Sequence, residues 1–142
     1  MSTEVIIYVL TALAAVVVVL TRVRLGRSGS GAGRHDVGRG LINLHTGSGA
    51  LALILWVAFL VVPEGDAPID HDLIGIAALA CWWLVVLAGL LILMRWLPSR
   101  GKHASAGHED TWSDGPGLSI LAHVGMLVGV AVFTWAYLNA QV

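Results

Sequence analysis

Two histidines are the residues of this chain best placed to do chemistry. Within four long apolar stretches, His45 and His123 are the only side chains that readily take a charge near neutral pH. An ionisable group inside a bilayer is costly, so it usually has a partner or a function. Imidazole is a common metal ligand, and histidines on facing helices of a bundle can hold one metal centre, such as a haem iron, from opposite sides.

The two histidines are predicted to lie at the same depth. His45 follows Gly38 by seven residues, and His123 follows Pro116 by seven. At 1.5 Å per residue, each is about 10 Å from the start of its helix. Three interpretations stay open: axial ligands of a haem, structural hydrogen bonds, and a proton or quinone site. For structural bonds, the candidates besides backbone carbonyls are Asn43, Thr46, Ser48 and Ser119.

Four apolar segments can position these residues inside a membrane. The chain has 142 residues, 57% hydrophobic and 12% charged, with a mean hydropathy of +0.83. A soluble domain has about 25% charged residues, and about 20 apolar residues cross a bilayer as a helix. We predict an all-α integral membrane protein in which residues 1–142 form a single membrane domain. Its four transmembrane helices span about 5–23, 41–62, 73–94 and 117–138.

The charges between the spans predict the orientation. All eight basic residues fall on one side of the spans, in or beside the loops 24–40 and 95–116. The positive-inside rule makes these loops cytoplasmic, which gives an antiparallel bundle that is N-out and C-out. The loop arginines are expected to meet anionic membrane lipids, with a cytoplasmic partner as the alternative. A net charge of −1 gives no reason to expect nucleic-acid binding.

Small residues indicate where helices approach each other. Span four carries the GxxxG pair Gly125 and Gly129, and span two carries Gly47 and Gly49 just after its histidine. Such glycines favour close helix packing. The functional alternative is that a glycine beside a ligand leaves room for a macrocycle.

The middle of span three contains two tryptophans and the sole cysteine. Trp82 and Trp83 lie too deep for an interfacial belt, so we expect them to pack in the bundle or to flank something flat. Cys81 rules out an internal disulfide and is expected to be inert in an apolar helix.

Polar residues outside the spans give weaker indications of chemistry. Asp70 is expected to cap span three. The neighbouring His71 is expected to be a solvated loop histidine, with a proton relay or the sensing of external pH as the alternative. A second set matches no tight metal-binding template and is expected to be a solvated loop. Its members are His103, His108, Glu109 and Asp110.

The segments around the two histidines carry a family resemblance. They are Leu44-His45-Thr46-Gly47 in span two and Ala122-His123-Val124-Gly125-Met126 in span four. Over spans two to four, the chain resembles small four-helix b-type membrane cytochromes, such as cytochrome b561-like proteins and anchor subunits of respiratory complexes. The resemblance implies one haem b near the cytoplasmic face, with His45 and His123 as axial ligands and Arg39 and Arg95 near its propionates. No second pair lies at the outer ends, so electrons are not expected to cross the bilayer through this chain alone.

The resemblance also implies a function in respiratory electron transfer. We expect a non-catalytic subunit of an oxidoreductase complex that passes electrons between a cytoplasmic-side partner and quinone, alongside other membrane or peripheral subunits. The Val, Ala, Gly and Leu content, with Arg favoured over Lys, is typical of a GC-rich bacterial genome and hence of a bacterial inner membrane. The alternative is a cofactor-free accessory or assembly subunit of a larger membrane complex. A small transporter is a third hypothesis, disfavoured because no acidic residue lies inside the spans.

Overall fold

The chain forms four α-helices in a computed structural model that describes residues 2–27, 39–96 and 117–142. The helices are α1 (Thr3–Arg27), α2 (Arg39–Val61), α3 (His71–Trp96) and α4 (Gly117–Leu138). No strand occurs in these ranges, which confirms the all-α class. α1 continues into the predicted loop 24–40 because arginine and leucine are good helix formers. The rest of that loop from residue 28 to 38, and residues 97–116, lie outside the described residues.

Three helices are long and apolar enough to cross a membrane. They contain the segments Gly40–Val61, His71–Met94 and Ile120–Leu138. The apolar part of α1 among the described side chains, Thr3–Val19, is shorter. A multi-pass membrane protein is therefore consistent with the structure, and lipid contact accounts for the many exposed Leu, Ile and Val side chains on the helix surfaces.

The helices pack in the ring order α1, α2, α3, α4. α3 lies between α2 and α4 and is antiparallel to both, since Phe59 of α2 meets His71 and Tyr137 of α4 meets Gly75. α1 packs less extensively on α2 and α4. Within the described residues, α2 and α4 are diagonal neighbours without direct backbone contact. The space between these two parallel helices is therefore available to side chains.

The packed core occupies one half of the bundle. We call the end formed by residues 62–70 the loop end. The core clusters toward it, and its largest fully buried side chains are Trp56, Trp82, Phe133, Ile7 and Val130. In the other half, the described part of α2 has no buried residue before Ser48, and that of α4 has none before Gly129. α3 is nevertheless buried as far as Leu93. We call this less completely packed part the histidine half, because His45 and His123 lie there.

Hydrogen bonds join α1 to α2 inside the core. The Trp56 indole Nε1 donates to Thr11 Oγ1 over 3.1 Å, and the Thr11 hydroxyl donates to the Ile7 carbonyl oxygen over 2.8 Å. Both side chains are buried. Because lipid offers no replacement partner, these two hydrogen bonds fix the position of α1 against α2.

The start of α3 confirms one prediction and contradicts another. Asp70 Oδ1 accepts hydrogen bonds from the backbone N–H groups of Asp72 at 3.0 Å and Leu73 at 3.4 Å, so Asp70 caps α3 as expected. The expectation of a solvated loop residue at His71 is wrong. Its Nε2 donates to the Phe59 carbonyl oxygen over 2.9 Å, and the two rings lie 4.5 Å apart between centroids. These contacts tie the start of α3 to the end of α2 and leave His71 half-buried.

Candidate functional site

His45 and His123 meet across the histidine half of the bundle. Each lies six residues after the first residue of its helix, Arg39 in α2 and Gly117 in α4. Their ring centroids are 6.2 Å apart, and the ring planes differ by 21°. The diagonal placement of α2 and α4 produces this arrangement, since the two backbones are too far apart to touch but the two side chains can approach each other. The structure thus brings together the two residues that the sequence singled out.

A carbonyl group of α3 orients the His45 ring. His45 Nδ1 lies 3.1 Å from the Val85 carbonyl oxygen. Because a carbonyl oxygen only accepts, Nδ1 must carry the proton, and in the neutral ring Nε2 then carries the lone pair. Metal-ligating histidines commonly hold their second N–H in this way, which fixes the tautomer and the ring orientation. The same bond also satisfies this nitrogen if no metal is bound.

Gly89 of α3 lies directly beside both imidazoles. A Cβ atom at this position would lie 2.8 Å from His123 Cδ2 and 3.1 Å from His123 Nε2. It would also lie 3.1 Å from His45 Cε1. Since Cβ contacts under 3.0 Å essentially never occur, any larger residue at position 89 would displace a ring. Gly89 was not among the residues predicted from the sequence, because one glycine among several in an apolar span carries no signal until the helix packing is known.

The glycines that the sequence did single out play a different part. A Cβ at Gly47, Gly125 or Gly129 would meet no described atom within 4 Å, and one at Gly49 would make an ordinary contact of 3.7 Å. Close packing through the GxxxG pair is therefore wrong for contacts within the described chain. Gly47 and Gly125 are exposed, so the open space beside them lies on the outer surface of the bundle, and the alternative that they leave room for a ligand stays a prediction.

The nearby hydroxyl groups do not bond the His45 ring. Thr46 Oγ1 donates to the Ile42 carbonyl oxygen over 2.7 Å, and Ser48 Oγ donates to the Leu44 carbonyl oxygen over 2.6 Å. Both bonds return to the preceding turn of α2, a pattern that can bend a helix. Of the hydrogen-bond partners expected from the sequence, only a backbone carbonyl is observed for His45. The side chain of Ser119 lies outside the described residues.

The donor set fits a metal centre that brings its own equatorial ligands. The two imidazoles, with ring centroids 6.2 Å apart, could supply two ligands to one metal centre. No group of three or more His, Cys, Asp or Glu side chains that could hold a metal is found among the described residues. A bare zinc ion needs about four ligands. A haem supplies the equatorial ligands itself and requires only axial ones.

Several predicted residues cannot be placed against this site. Arg39 begins α2 and Arg95 lies near the end of α3, but both side chains lie outside the described part of the structure. The same holds for the polar loop set, consisting of His103, His108, Glu109 and Asp110. Their proposed roles therefore stay predictions.

Comparison of the chain with protein-family models, with curated proteins and with solved structures found no match. The geometry of the site and the resemblance carried by the two histidine segments are therefore the basis for a function.

Proposed function

We propose that this protein is a b-type haem subunit of a membrane electron-transfer complex, with His45 and His123 as the axial ligands. One observation carries the proposal. The two imidazoles approach to 6.2 Å between ring centroids, and they do so beside Gly89, where any side chain would collide with them.

The residues of this chain have separable roles in the proposed site. His45 and His123 hold the group from α2 and α4. The Val85 carbonyl retains the proton on His45 Nδ1, which raises the basicity of the ligand and lowers its freedom to rotate. Gly89 leaves the space for both rings. A haem bound here would supply a one-electron couple.

The surroundings of the histidines support a large flat ligand. The described parts of α2 and α4 contain no buried residue in the histidine half, although one face of α3 between them is buried. A complete side-chain core would leave a macrocycle no room. Arg39 and Arg95 belong to the helix turns at this end of the bundle, where we assign them to the haem propionates.

The orientation and the biological setting belong to the same proposal. The basic residues beside the histidine half support a cytoplasmic position for it, and we propose α1 as a fourth span with both termini outside. The protein would lie in a bacterial inner membrane and pass electrons between a cytoplasmic-side partner and quinone, as a non-catalytic subunit. Support for this setting comes from the charge distribution and from the b-type cytochrome resemblance.

The alternative is a cofactor-free accessory or assembly subunit of a larger membrane complex. The bond from His45 to the Val85 carbonyl favours it, because that bond alone satisfies one nitrogen of the ring. Under this alternative the two histidines stabilise the packing of α2 and α4 against α3.

A dithionite-reduced minus oxidised absorption spectrum of the purified protein in mild detergent tests the proposal. We expect a sharp b-type signal with close to one haem per chain. His45→Ala and His123→Ala should each abolish this signal while the protein still inserts into the membrane. Asn43→Ala provides a matched control, since Asn43 is exposed two residues before His45 on the same helix. A flat spectrum from folded protein produced with sufficient haem would favour the accessory-subunit alternative, and a full signal in both histidine variants would refute the ligand assignment.

A further inference from the structure

Glycines of one helix face larger side chains of the other along the α2–α3 pair, which has the most extensive helix contact among the described residues. In each case a Cβ atom at the glycine would lie within 4 Å of the opposite side chain. The pairs are Gly75 with Phe59, Gly49 with Val85, and Gly89 with His45. Between the first and second pairs both helices are displaced by the same ten residues, and between the second and third by the same four. The antiparallel register of α2 and α3 is therefore continuous from the loop end to the histidines.

At Gly49 the two helices have room for one methyl group. A Cβ atom at this position would lie 3.7 Å from Val85 Cγ2, which is an ordinary van der Waals contact. Gly49 and Val85 are both buried. A further carbon directed at Val85, one bond of about 1.5 Å beyond that Cβ, would overlap with the valine, since carbon atoms pack best about 3.5–4.0 Å apart. The size of residue 49 therefore limits how closely α2 approaches α3 here.

The same Val85 accepts the hydrogen bond that orients His45. The distance from His45 Nδ1 to the Val85 carbonyl oxygen is 3.1 Å. N–H···O bonds span about 2.7–3.2 Å, so an increase of about 0.5 Å would end this bond. His45 and Gly49 are four residues apart on α2 and so lie on one face, a turn from each other. A change in helix spacing at Gly49 therefore acts directly on the His45 bond.

We propose that Gly49 is a positioning residue for His45, because the absence of a side chain at position 49 sets the α2–α3 spacing at which His45 Nδ1 reaches the Val85 carbonyl oxygen. A Cβ at Gly49 would meet neither imidazole within 4 Å, so its effect passes through the helix packing. The consequence for electron transfer rests on the proposed function. There, the bonded Nδ1–H makes His45 a stronger donor to the haem iron, which favours the oxidised iron and lowers the midpoint potential.

The test is an exchange of side-chain volume across the Gly49–Val85 contact, in the full-length protein in detergent. Gly49→Val adds a stiff, β-branched side chain, which should push α2 away from α3 and break the His45 bond. Val85→Ala removes two methyl groups and keeps the backbone carbonyl, so the double variant should recover both the spacing and the bond. Gly49→Ala is the matched control, because its methyl group fits 3.7 Å from Val85 Cγ2.

Nitrogen-15 NMR of the haem-free protein with labelled imidazoles measures the bond, and the His45 signal is assigned by its absence in His45→Ala. We expect a hydrogen-bonded Nδ1–H on His45 in the wild type, in Gly49→Ala and in the double variant, and its loss in Gly49→Val. In the haem-loaded protein, Gly49→Val should weaken haem binding about tenfold and raise the midpoint potential. The added Val85→Ala should reverse both effects. A purely structural role of Gly49 would lower the thermal unfolding temperature without moving the potential.

Loss of folding and absence of haem can each be separated from the inference. Circular dichroism checks that every variant is helical. If Gly49→Val does not fold, the double variant decides, and a double variant without the His45 signal overturns the inference. A His45 bond retained in folded Gly49→Val also overturns it. A wild type that binds no haem but shows the expected NMR pattern upholds the inference and refutes the proposed function alone. Haem binding with a His45 signal that is the same in all the position 49 and 85 variants refutes the inference alone.

Discussion

The substitution Gly89→Ala tests the site most directly, because two opposing effects are both large enough to measure. Alanine is favoured over glycine in a helix interior by about 1 kcal/mol. Against this, the new methyl group would lie 2.8 Å from His123 Cδ2 and 3.1 Å from His45 Cε1. Overpacking of this kind costs about 1–3 kcal/mol. In the haem-free protein the rings can turn aside, so we expect the free energy of unfolding to change by less than about 1 kcal/mol.

A haem-bound form, as proposed, would lack that freedom. Ligands of a bound centre must stay within about 0.5 Å and about 10–20° of their working geometry. An imidazole moved aside by the new methyl group would lie outside that range. If the imidazole instead keeps its position, the complex must accommodate the overlap between the ring and the methyl group. A cost of about 1.4 kcal/mol corresponds to a tenfold loss. We therefore expect Gly89→Ala to weaken haem binding about tenfold or more and to change the absorption spectrum of any haem that remains.

The assay is a haem titration of detergent-solubilised protein followed by absorbance, with circular dichroism as a check on folding. Gly47→Ala and Gly125→Ala are the matched controls. Each makes the same chemical change two residues past a histidine, where no described atom lies within 4 Å of the new methyl group. Both controls should bind haem within about threefold of the wild type. Full occupancy and an unaltered spectrum in Gly89→Ala would refute the argument that both rings need the empty position.

Two further predictions concern the core and the topology. Thr11→Val leaves the fully buried Trp56 indole without an acceptor and should cost about 1–3 kcal/mol of unfolding free energy. Thr134→Val should have a similar cost, because the lipid around Trp83 offers its indole no replacement acceptor. An unchanged thermal unfolding temperature in either variant would contradict the role assigned to its hydrogen bond. A cysteine placed in residues 101–107 should resist membrane-impermeant thiol reagents in intact cells but react after lysis. Labelling from outside would show that the predicted orientation is wrong and that the histidine half lies toward the outer side of the membrane.

More of the fold than of the site could be predicted from the sequence. Helices could be predicted because the bilayer allows little else for long apolar segments, and three of the four predicted spans meet the length requirement. Asp70 could be assigned as a cap because capping depends on local spacing alone. His71 could not be assigned correctly, since its partner is a carbonyl on another helix. The same limit applies to His45, which bonds Val85 from 40 residues away along the chain.

The sequence by itself determined that the chain is helical, apolar and supplied with two histidines at equal depth, since hydrophobicity and position along a helix are local properties. Tertiary structure alone decided which surfaces meet. It placed α2 and α4 on a diagonal, brought the two imidazoles to 6.2 Å between ring centroids, and put Gly89, rather than the GxxxG pair, beside both rings. It also distinguished the satisfied indole of Trp83 from that of Trp82, which has no partner among the described residues. The physical reason is that the relative rotation and register of packed helices depend on side chains from several helices at once, and a single span contains no record of its neighbours.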